Sequence, residues 1–208
     1  MSIRNLVHKI YKIVGTILCN ICLLWWKCRD RISPPQSNSV LFVSHPDDDT
    51  LFFHSYIKEN KPYICLMTTG WSLKRIPCFF RVMKYYGVRY RVYPLEANDP
   101  RLELHKKIVR NVLSIGDFKT VLTHNSTGEY GHEEHMRVHR AVVAVLENEN
   151  QKPVLLCPEP KESIAHYPLQ EADIREKEKI FKTMYTTEVW VLDEDTVWVE
   201  HENLVRLM

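Results

Sequence analysis

From residue 40 onward, short apolar segments with the pattern of strands alternate with longer segments that have helical periodicity. The strand-like segments are Val40–Ser44, Pro62–Thr68, Tyr90–Leu95, Lys119–Thr123 and Pro153–Cys157. The helix-like segments are Thr50–Asn60, Lys74–Tyr86, Pro100–Ser114, Glu133–Glu147 and Leu169–Met184. This alternation predicts an α/β fold with a mostly parallel sheet that helices cover on both faces.

The chain divides into three parts. Residues 1–33 are an apolar N-terminal segment, residues 34–39 are a linker of breaker residues, and residues 40–208 are one domain of ordinary size. At the end of this domain, Glu188–Leu192 and Thr196–His201 are predicted to form a hairpin or two edge strands.

The N-terminal segment has apolar residues at helical spacing and contains the apolar run Ile13–Trp26. That run is shorter than the roughly 20 residues that usually span a bilayer. Trp25 and Trp26 stand directly before Lys27, an arrangement typical of a helix anchored at a membrane surface. We therefore expect residues 1–33 to form an amphipathic helix that attaches the protein to a membrane. The alternative is a helix docked on the domain itself.

Composition and motifs exclude several functional classes. Lys and Arg number 28 against 26 for Asp and Glu, and no basic block is present, which argues against nucleic-acid binding. The six cysteines do not form a secreted disulfide pattern, so we expect a reducing, cytoplasmic location. The sequence has no GxGxxG after its first strand, no GxxxxGK(S/T) and no GxSxG. The sequence therefore lacks the motifs that would indicate a nucleotide-dependent enzyme or a serine hydrolase.

A first polar cluster, Ser44–Asp49, follows the first predicted strand. Sites in open α/β sheets lie at the carboxyl ends of strands, so this is the position expected for function. Three consecutive aspartates beside His45 repel one another unless a cation is present. An acidic helix cap, with Asp49 as the capping residue, is the alternative. We favour a metal site because a cap does not require all three carboxylates.

A second cluster, His124–His135, follows the strand Lys119–Thr123 and ends at the start of a helix. His132 and His135 are three residues apart, so they lie on one face of that helix. One aspartate and two histidines from the two clusters would give a zinc site with three ligands and one open position, as in catalytic zinc sites. The open position would hold a water activated as a nucleophile.

The two clusters together resemble the signatures of a known family. SHPDDD followed by TLFF is similar to the (A/S)HPDDE motif of the LmbE-like and PIG-L zinc N-deacetylases, and THNSTGEYGHEEH is similar to their Gly-rich second motif. The resemblance covers roughly Val40 to Leu146, with the two motifs about ninety residues apart. It implies a Rossmann-like three-layer fold and a Zn²⁺ cofactor.

The resemblance also implies a role for each matching residue. His45, Asp48 and His135 correspond to the zinc ligands, and Asp47 corresponds to the general base that takes a proton from the zinc-bound water. These positions make the chain similar to a metal-dependent amide hydrolase.

Three further positions complete the implied site. His132 corresponds to the histidine that stabilises the oxyanion, Glu134 to the acid that orients it, and Tyr130 to a mobile active-site tyrosine. If Glu134 holds His132, the charged imidazolium is expected. The chain departs from the family pattern at three places. Asp49 stands where Glu is usual, and Glu134 stands where Asp is frequent. The segment Lys74–Tyr86 lacks the common Arg-to-Glu spacing.

The activity implied is removal of the N-acetyl group from an N-acetylglucosamine-type glycoconjugate, with release of acetate. The substrate could be linked to a lipid or a nucleotide, and a phosphate on it could meet the basic residues Lys74, Arg75, Arg81, Arg89 and Arg91. Two alternatives remain: a Mg²⁺-dependent phosphohydrolase that uses the three aspartates, and a sugar-binding module of the same fold without turnover.

Overall fold

The structure is a computed structural model that describes residues 35–208 except 70–71, 73, 97–98 and 150–151, together with Val14, Ile17 and Ile21. Those three isolated residues are helical and about half exposed. The helix predicted in residues 1–33 otherwise lies outside the described residues. Within the described part of the chain, no helix is long and apolar enough to cross a membrane.

Six strands form one sheet. In chain order they are β1 (Ser39–Val43), β2 (Tyr63–Thr68), β3 (Tyr90–Leu95), β4 (Thr120–Thr123), β5 (Val154–Pro158) and β6 (Leu204–Arg206). Their order across the sheet is β3-β2-β1-β4-β5-β6, and every neighbouring pair is parallel except β5 with β6. This is the strand order of doubly wound Rossmann sheets, here with an antiparallel edge strand. The predicted mostly parallel sheet is confirmed.

Helices connect the strands close to the predicted boundaries. In chain order they are α1 (Asp48–Asn60), α2 (Arg75–Tyr86), α3 (Leu102–Leu113), α4 (Gly128–Gly131), α5 (Glu133–Leu146), α6 (Lys161–Ile164), α7 (Glu171–Thr183), α8 (Val191–Glu194) and α9 (Thr196–Glu200). The sheet carries an apolar core on each face. Leu41 and Val43 of β1 belong to one core and Val40 and Phe42 to the other, as the two-residue period of a strand requires.

The prediction of strands in the C-terminal tail is wrong. The tail forms the short helices α8 and α9, and β6, four residues after α9, supplies the edge strand instead. Trp198 and Val199 are both buried, whereas consecutive residues of an edge strand would point to opposite sides. Their backbone amides both donate to the Asp195 carbonyl oxygen, which closes the first turn of α9. Burial of both side chains against the domain therefore outweighs the strand propensity of the segment.

The topology brings the two polar clusters together. β1 and β4 are paired neighbours, with Phe42 opposite Thr123 near their carboxyl ends. From β1 the chain passes to β2 on one side, and from β4 it passes to β5 on the other. Such a switch point opens a crevice at the carboxyl ends of the strands. The β1–α1 and β4–α5 loops both begin at this crevice.

Candidate active site

Asp47 lies in the β1–α1 loop in an unusual backbone conformation. Its φ of 117° is one that residues with a side chain rarely adopt. The amides of Thr50 and Leu51 donate to its carbonyl oxygen, and Arg75 Nη2 donates to the Pro46 carbonyl at 3.0 Å and to Asp47 Oδ1 at 2.9 Å. Backbone strain that is held by surrounding contacts is frequent at functional sites.

His45, Asp48 and His135 meet where the two loops adjoin. His45 Nδ1 lies 3.3 Å from His135 Nε2 and 3.6 Å from Asp48 Oδ2, and His135 Nε2 lies 3.4 Å from Asp48 Oδ1. All three side chains are buried. Around a tetrahedral zinc with bonds of about 2.0–2.1 Å, neighbouring ligand atoms are about 3.3–3.4 Å apart. The buried cluster could therefore hold a metal ion.

Other histidines lie close to this cluster. Two overlapping sets of side chains have ligand atoms within 4.8 Å of one another, namely His45–His132–His135 and Asp48–His124–His135. His124 is engaged at both ring nitrogens, because Nε2 accepts from the Ser44 amide at 3.0 Å and Nδ1 lies 3.1 Å from Glu129 Oε2. His135 belongs to both sets, which makes it the central member of the cluster.

Glu129 is a buried carboxylate that the sequence analysis missed. Its Oε2 lies 2.7 Å from His135 Nδ1 and contacts His124, while Oε1 accepts from the Asn125 amide at 2.8 Å. Burial raises the pKa of Glu129, but His124 and His135 outweigh burial and lower this pKa to about 2. Carboxylates that contact the second nitrogen of a metal-binding histidine fix its tautomer. The sequence offered one sign of this role, because Glu129 is the single acidic residue between His124 and His132.

His135 and Asp48 form a buried acid–base pair. Burial lowers the pKa of His135, but Asp48 and Glu129 outweigh it and raise this pKa to about 10. Burial raises the pKa of Asp48, whereas His135 and His124 bring it well below its usual range. A metal ion at this position would therefore replace a proton on His135.

Asp47 has a partner of its own. Arg75, which donates to Asp47, also places Nε 2.7 Å from Glu188 Oε1 in the C-terminal tail. Burial raises the pKa of Asp47 well above its usual range, and Arg75 offsets part of that rise. The carboxylate that contacts Arg75 is supplied by Glu188, from a part of the chain distant in sequence from α2.

Asp49 is held by hydroxyl groups. Tyr185 donates to its Oδ2 at 2.6 Å and Thr50 donates to its Oδ1 at 2.8 Å. The three consecutive aspartates thus have different partners: an arginine for Asp47, histidines for Asp48 and two hydroxyls for Asp49. This separation explains how three adjacent carboxylates can be buried together.

His132 and Glu134 do not form the pair that the resemblance implied. The Glu134 carboxylate is buried and contacts His105 Nε2 at 2.8 Å and the Arg137 guanidinium. The backbone amide of Glu134 donates to His132 Nδ1 at 3.3 Å, so His132 caps α5. Burial and the neighbouring histidines lower the pKa of His132 to about 4. The condition set for a charged His132 is therefore not met, because the Glu134 side chain turns toward His105 of α3.

Tyr130 lies at the solvent-facing side of the cluster. Its side chain is 42% exposed, and its ring centroid lies 5.4 Å from that of His135 and 6.0 Å from that of His132. The buried ring of Phe52 packs against Tyr130 and His135 from the protein side. Tyr130 and His132 therefore lie between the buried cluster and solvent on this side.

Several of the basic residues predicted to meet a phosphate have partners inside the protein. Arg75 pairs with Asp47, Arg81 donates to the Met184 carbonyl oxygen, and the Arg91 guanidinium lies over the Tyr93 ring. In this structure, Arg75 orients a candidate catalytic residue.

Comparison with known proteins gives a fold but no family. No protein-family model matches the sequence. An uncharacterized protein of Acanthamoeba polyphaga mimivirus, L374, is 27% identical over 124 residues, which is 50% of this chain and 55% of that protein. The chain therefore spans about half the length of this curated relative.

Solved structures share the fold over most of the chain. A triple mutant of a deacetylase involved in teicoplanin biosynthesis has a TM-score of 0.60 and 11% identity, and covers 77% of this chain and 87% of its own. The A40926 pseudoaglycone deacetylase Dbv21 has a TM-score of 0.58 and 14% identity, with coverage of 76% and 85%. GalB, a 4-carboxy-2-hydroxymuconate hydratase from Pseudomonas putida KT2440, has a TM-score of 0.51 and 15% identity, with coverage of 82% and 96%. The chain is thus similar in fold to two deacetylases and to a hydratase, so the site has to identify the reaction.

Proposed function

We propose that this protein is a zinc-dependent hydrolase that removes the N-acetyl group from an N-acetylglucosamine-type glycoconjugate and releases acetate. The observation that carries the proposal is the position of His135 Nε2, which lies 3.3 Å from His45 Nδ1 and 3.4 Å from Asp48 Oδ1, while the other oxygen of Asp48, Oδ2, lies 3.6 Å from His45 Nδ1. Three ligands leave one position of a four-coordinate ion open for water or substrate, as in catalytic zinc sites. The two structurally similar deacetylases support the reaction class.

The donor set fits zinc. Two imidazole nitrogens and one carboxylate suit zinc, whereas magnesium prefers a shell of oxygen ligands. His45, Asp48 and His135 would hold the ion, and the Glu129 carboxylate at His135 Nδ1 supplies the outer contact usual for such histidines. When bound, zinc polarises an amide carbonyl and lowers the pKa of a coordinated water to about 7.

Asp47 is the proposed general base. It is adjacent in sequence to Asp48, it is buried, and its Oδ1 is fixed by Arg75. Its raised pKa increases its affinity for the proton of an attacking water. The contact with Arg75 keeps the carboxylate in one orientation, so no free energy is spent on ordering it during the reaction.

His132 is the proposed hydrogen-bond donor to the oxyanion. Its Nδ1 accepts from the Glu134 amide, so a neutral ring carries its proton on Nε2. The ring centroid of His132 lies 4.5 Å from that of His135 and 4.8 Å from that of His45, which places the ring beside the proposed zinc ligands. A neutral imidazole can donate this hydrogen bond as charge develops on the carbonyl oxygen. The leaving amine then receives from Asp47 the proton that Asp47 took from the attacking water.

The proposed partner is an N-acetylated amino-sugar conjugate, linked to a lipid or a nucleotide. Tyr130 stands on the solvent-facing side of the cluster, where it would contact the sugar. Membrane attachment through residues 1–33 stays a prediction and would suit a lipid-linked substrate.

The alternatives differ in what they require of the site. A magnesium phosphohydrolase needs several carboxylates at one ion, yet Asp47 contacts Arg75 and Asp49 contacts Tyr185 and Thr50. A sugar-binding module needs no base beside the metal ligands, and Asp47 has no evident use there.

Release of acetate tests the proposal. Zinc-loaded protein is incubated with a panel of N-acetylglucosamine conjugates, and acetate, free amine and phosphate are measured. We expect acetate and amine in equal amounts from at least one conjugate. Phosphate release without acetate would identify the phosphohydrolase, and binding without either product would identify the sugar-binding module.

A further inference from the structure

A second group of possible metal ligands lies outside the candidate active site, between α1 and α7. It consists of His54 of α1 and Asp173 and Glu176 of α7, which we call the α1–α7 cluster. His54 Nε2 lies 3.9 Å from Asp173 Oδ1 and 3.8 Å from Glu176 Oε2. The histidine side chain is completely buried, whereas the two carboxylates are 25% exposed.

The orientation of His54 follows from a chain of hydrogen bonds. Thr50 donates its hydroxyl hydrogen to Asp49, and the Tyr86 hydroxyl donates to Thr50 at 3.2 Å. His54 Nδ1 lies 2.7 Å from Tyr86 Oη, and both hydrogen bonds of Tyr86 form together when the histidine donates in this contact. In this arrangement the proton of the ring is on Nδ1, and Nε2 carries a lone pair directed at the cluster.

This lone pair has no partner. His54 Nε2 is buried without any hydrogen bond, although it lies close to two carboxylates that cannot donate to it when ionised. A buried acceptor without a donor is costly and calls for a positive partner.

Lys58 supplies positive charge to the carboxylates but not to the histidine. Its Nζ lies 2.6 Å from Asp173 Oδ1 and 2.5 Å from Glu176 Oε2, the same oxygens that face His54. The Lys58 side chain is 35% exposed and long, so it can turn into solvent. The position between the carboxylates is thus already one that a cation occupies.

We propose that the α1–α7 cluster is a second metal site, in which His54, Asp173 and Glu176 bind Zn²⁺ or a similar divalent transition metal in exchange for the Lys58 ammonium group. A doubly charged ion balances two carboxylates, and an ion with affinity for imidazole also takes up the lone pair of Nε2. The His54 distances are about half an ångström longer than around a tetrahedral zinc. The partly exposed carboxylates on α7 can move by that amount.

The bound ion would fasten α7 to α1. A chain of hydrogen bonds through His54, Tyr86 and Thr50 connects this position to Asp49, the neighbour of Asp48 in sequence. Through this chain the ion would affect the candidate active site. We expect a structural role for the bound ion, because it would join two helices outside the candidate active site. The contact of His54 Nδ1 with Tyr86 would fix the orientation of the ring.

Zinc stoichiometry and affinity test this proposal without any assay of activity. Metal-free full-length protein is titrated with Zn²⁺, and bound metal is counted after free metal is removed. We expect about two equivalents per chain for the wild type and about one for His54→Gln and for Asp173→Asn. His135→Ala should lose the other equivalent, so failure of one site is distinguished from failure of the other.

Lys58→Met separates a metal site from a permanent ion pair. Without the competing ammonium, the α1–α7 cluster should bind Zn²⁺ more tightly than in the wild type. His166→Gln, at an exposed histidine, is the control for adventitious binding and should change nothing. Equal stoichiometry in the wild type, His54→Gln and Asp173→Asn, or weaker binding in Lys58→Met, would overturn the proposal.

Discussion

Glu129 Oε2 lies 2.7 Å from Nδ1 of His135, and this contact sets which ring nitrogen of His135 faces the other proposed ligands. The Nδ1 proton is donated to Glu129, so Nε2 is the nitrogen that faces His45 and Asp48, and Nε2 carries a lone pair once the ring is neutral. Glu129 adopts a φ of 57°, a backbone conformation that is uncommon for residues with a side chain. The loop thus accepts strain at the residue that orients the central histidine.

Glu129→Gln should weaken zinc binding without preventing folding. The amide keeps the size of the side chain but removes the charge at His135 Nδ1, and loss of such an outer contact typically costs about 10–100-fold in metal affinity. The dissociation constant is measured by competition with a chelator. Glu133→Gln, at an exposed neighbouring acid, is the matched control. Unchanged affinity in Glu129→Gln would show that His135 needs no such partner.

Zinc binding should release a proton from His135. In the metal-free protein its pKa is raised to about 10, so the ring is charged at pH 8 and must lose a proton before Nε2 can bind zinc. Titration calorimetry in buffers of different ionisation enthalpy should give about one proton released per ion at the active site. The measurement uses His54→Gln to isolate this site. Binding heat independent of the buffer would contradict the protonated state of the pair.

Asp47→Asn should retain zinc and lose activity. Asparagine tolerates the positive φ of this position and can still accept from Arg75, but it cannot take a proton. We expect turnover to fall by roughly 10²–10⁴-fold, the range for loss of a general base. Acetate release and zinc content are measured on the same samples, with the exposed Asp117→Asn as control. Near-normal turnover would mean that another group accepts the proton.

His132→Ala should retain zinc and lower turnover by roughly 10²–10³-fold, the size expected for one lost oxyanion donor. Alanine also removes the cap of α5, so His132→Asp is the matched variant, because aspartate is a good helix cap but has no hydrogen to donate when ionised. If the loss of activity comes from the missing donor, the two variants should be similarly slow. Recovery of activity in His132→Asp would assign the residue to capping alone, and loss of zinc in His132→Ala would make His132 a ligand.

The parts of the fold that the sequence predicted are those with a local signal. Strand and helix periodicity depends on residues that are close together in sequence. The strand β3, for example, has the predicted bounds Tyr90–Leu95. The tail gave the wrong prediction because Val191, Trp198 and Val199 are buried through contacts with distant elements. Short segments rich in β-branched residues follow such tertiary contacts more than their own propensity.

The candidate site divides in the same way. His45, Asp48 and His135 stand in recognisable motifs, and paired neighbouring strands bring those motifs together. Glu188 contacts Arg75 although the two are more than a hundred residues apart in sequence, so no local pattern could predict this contact. The partner of Glu134 was wrongly expected nearby in sequence, because His105 approaches it only when α3 packs against α5.

The identity of the metal ligands is the central claim, and anomalous diffraction from zinc-loaded crystals tests it most directly. We predict a peak about 2.0–2.2 Å from His45 Nδ1, from a carboxylate oxygen of Asp48 and from His135 Nε2, with His124 and His132 outside bonding distance. A peak bonded to His124 or His132 in place of any of these three, or no peak at this crevice, would contradict the account.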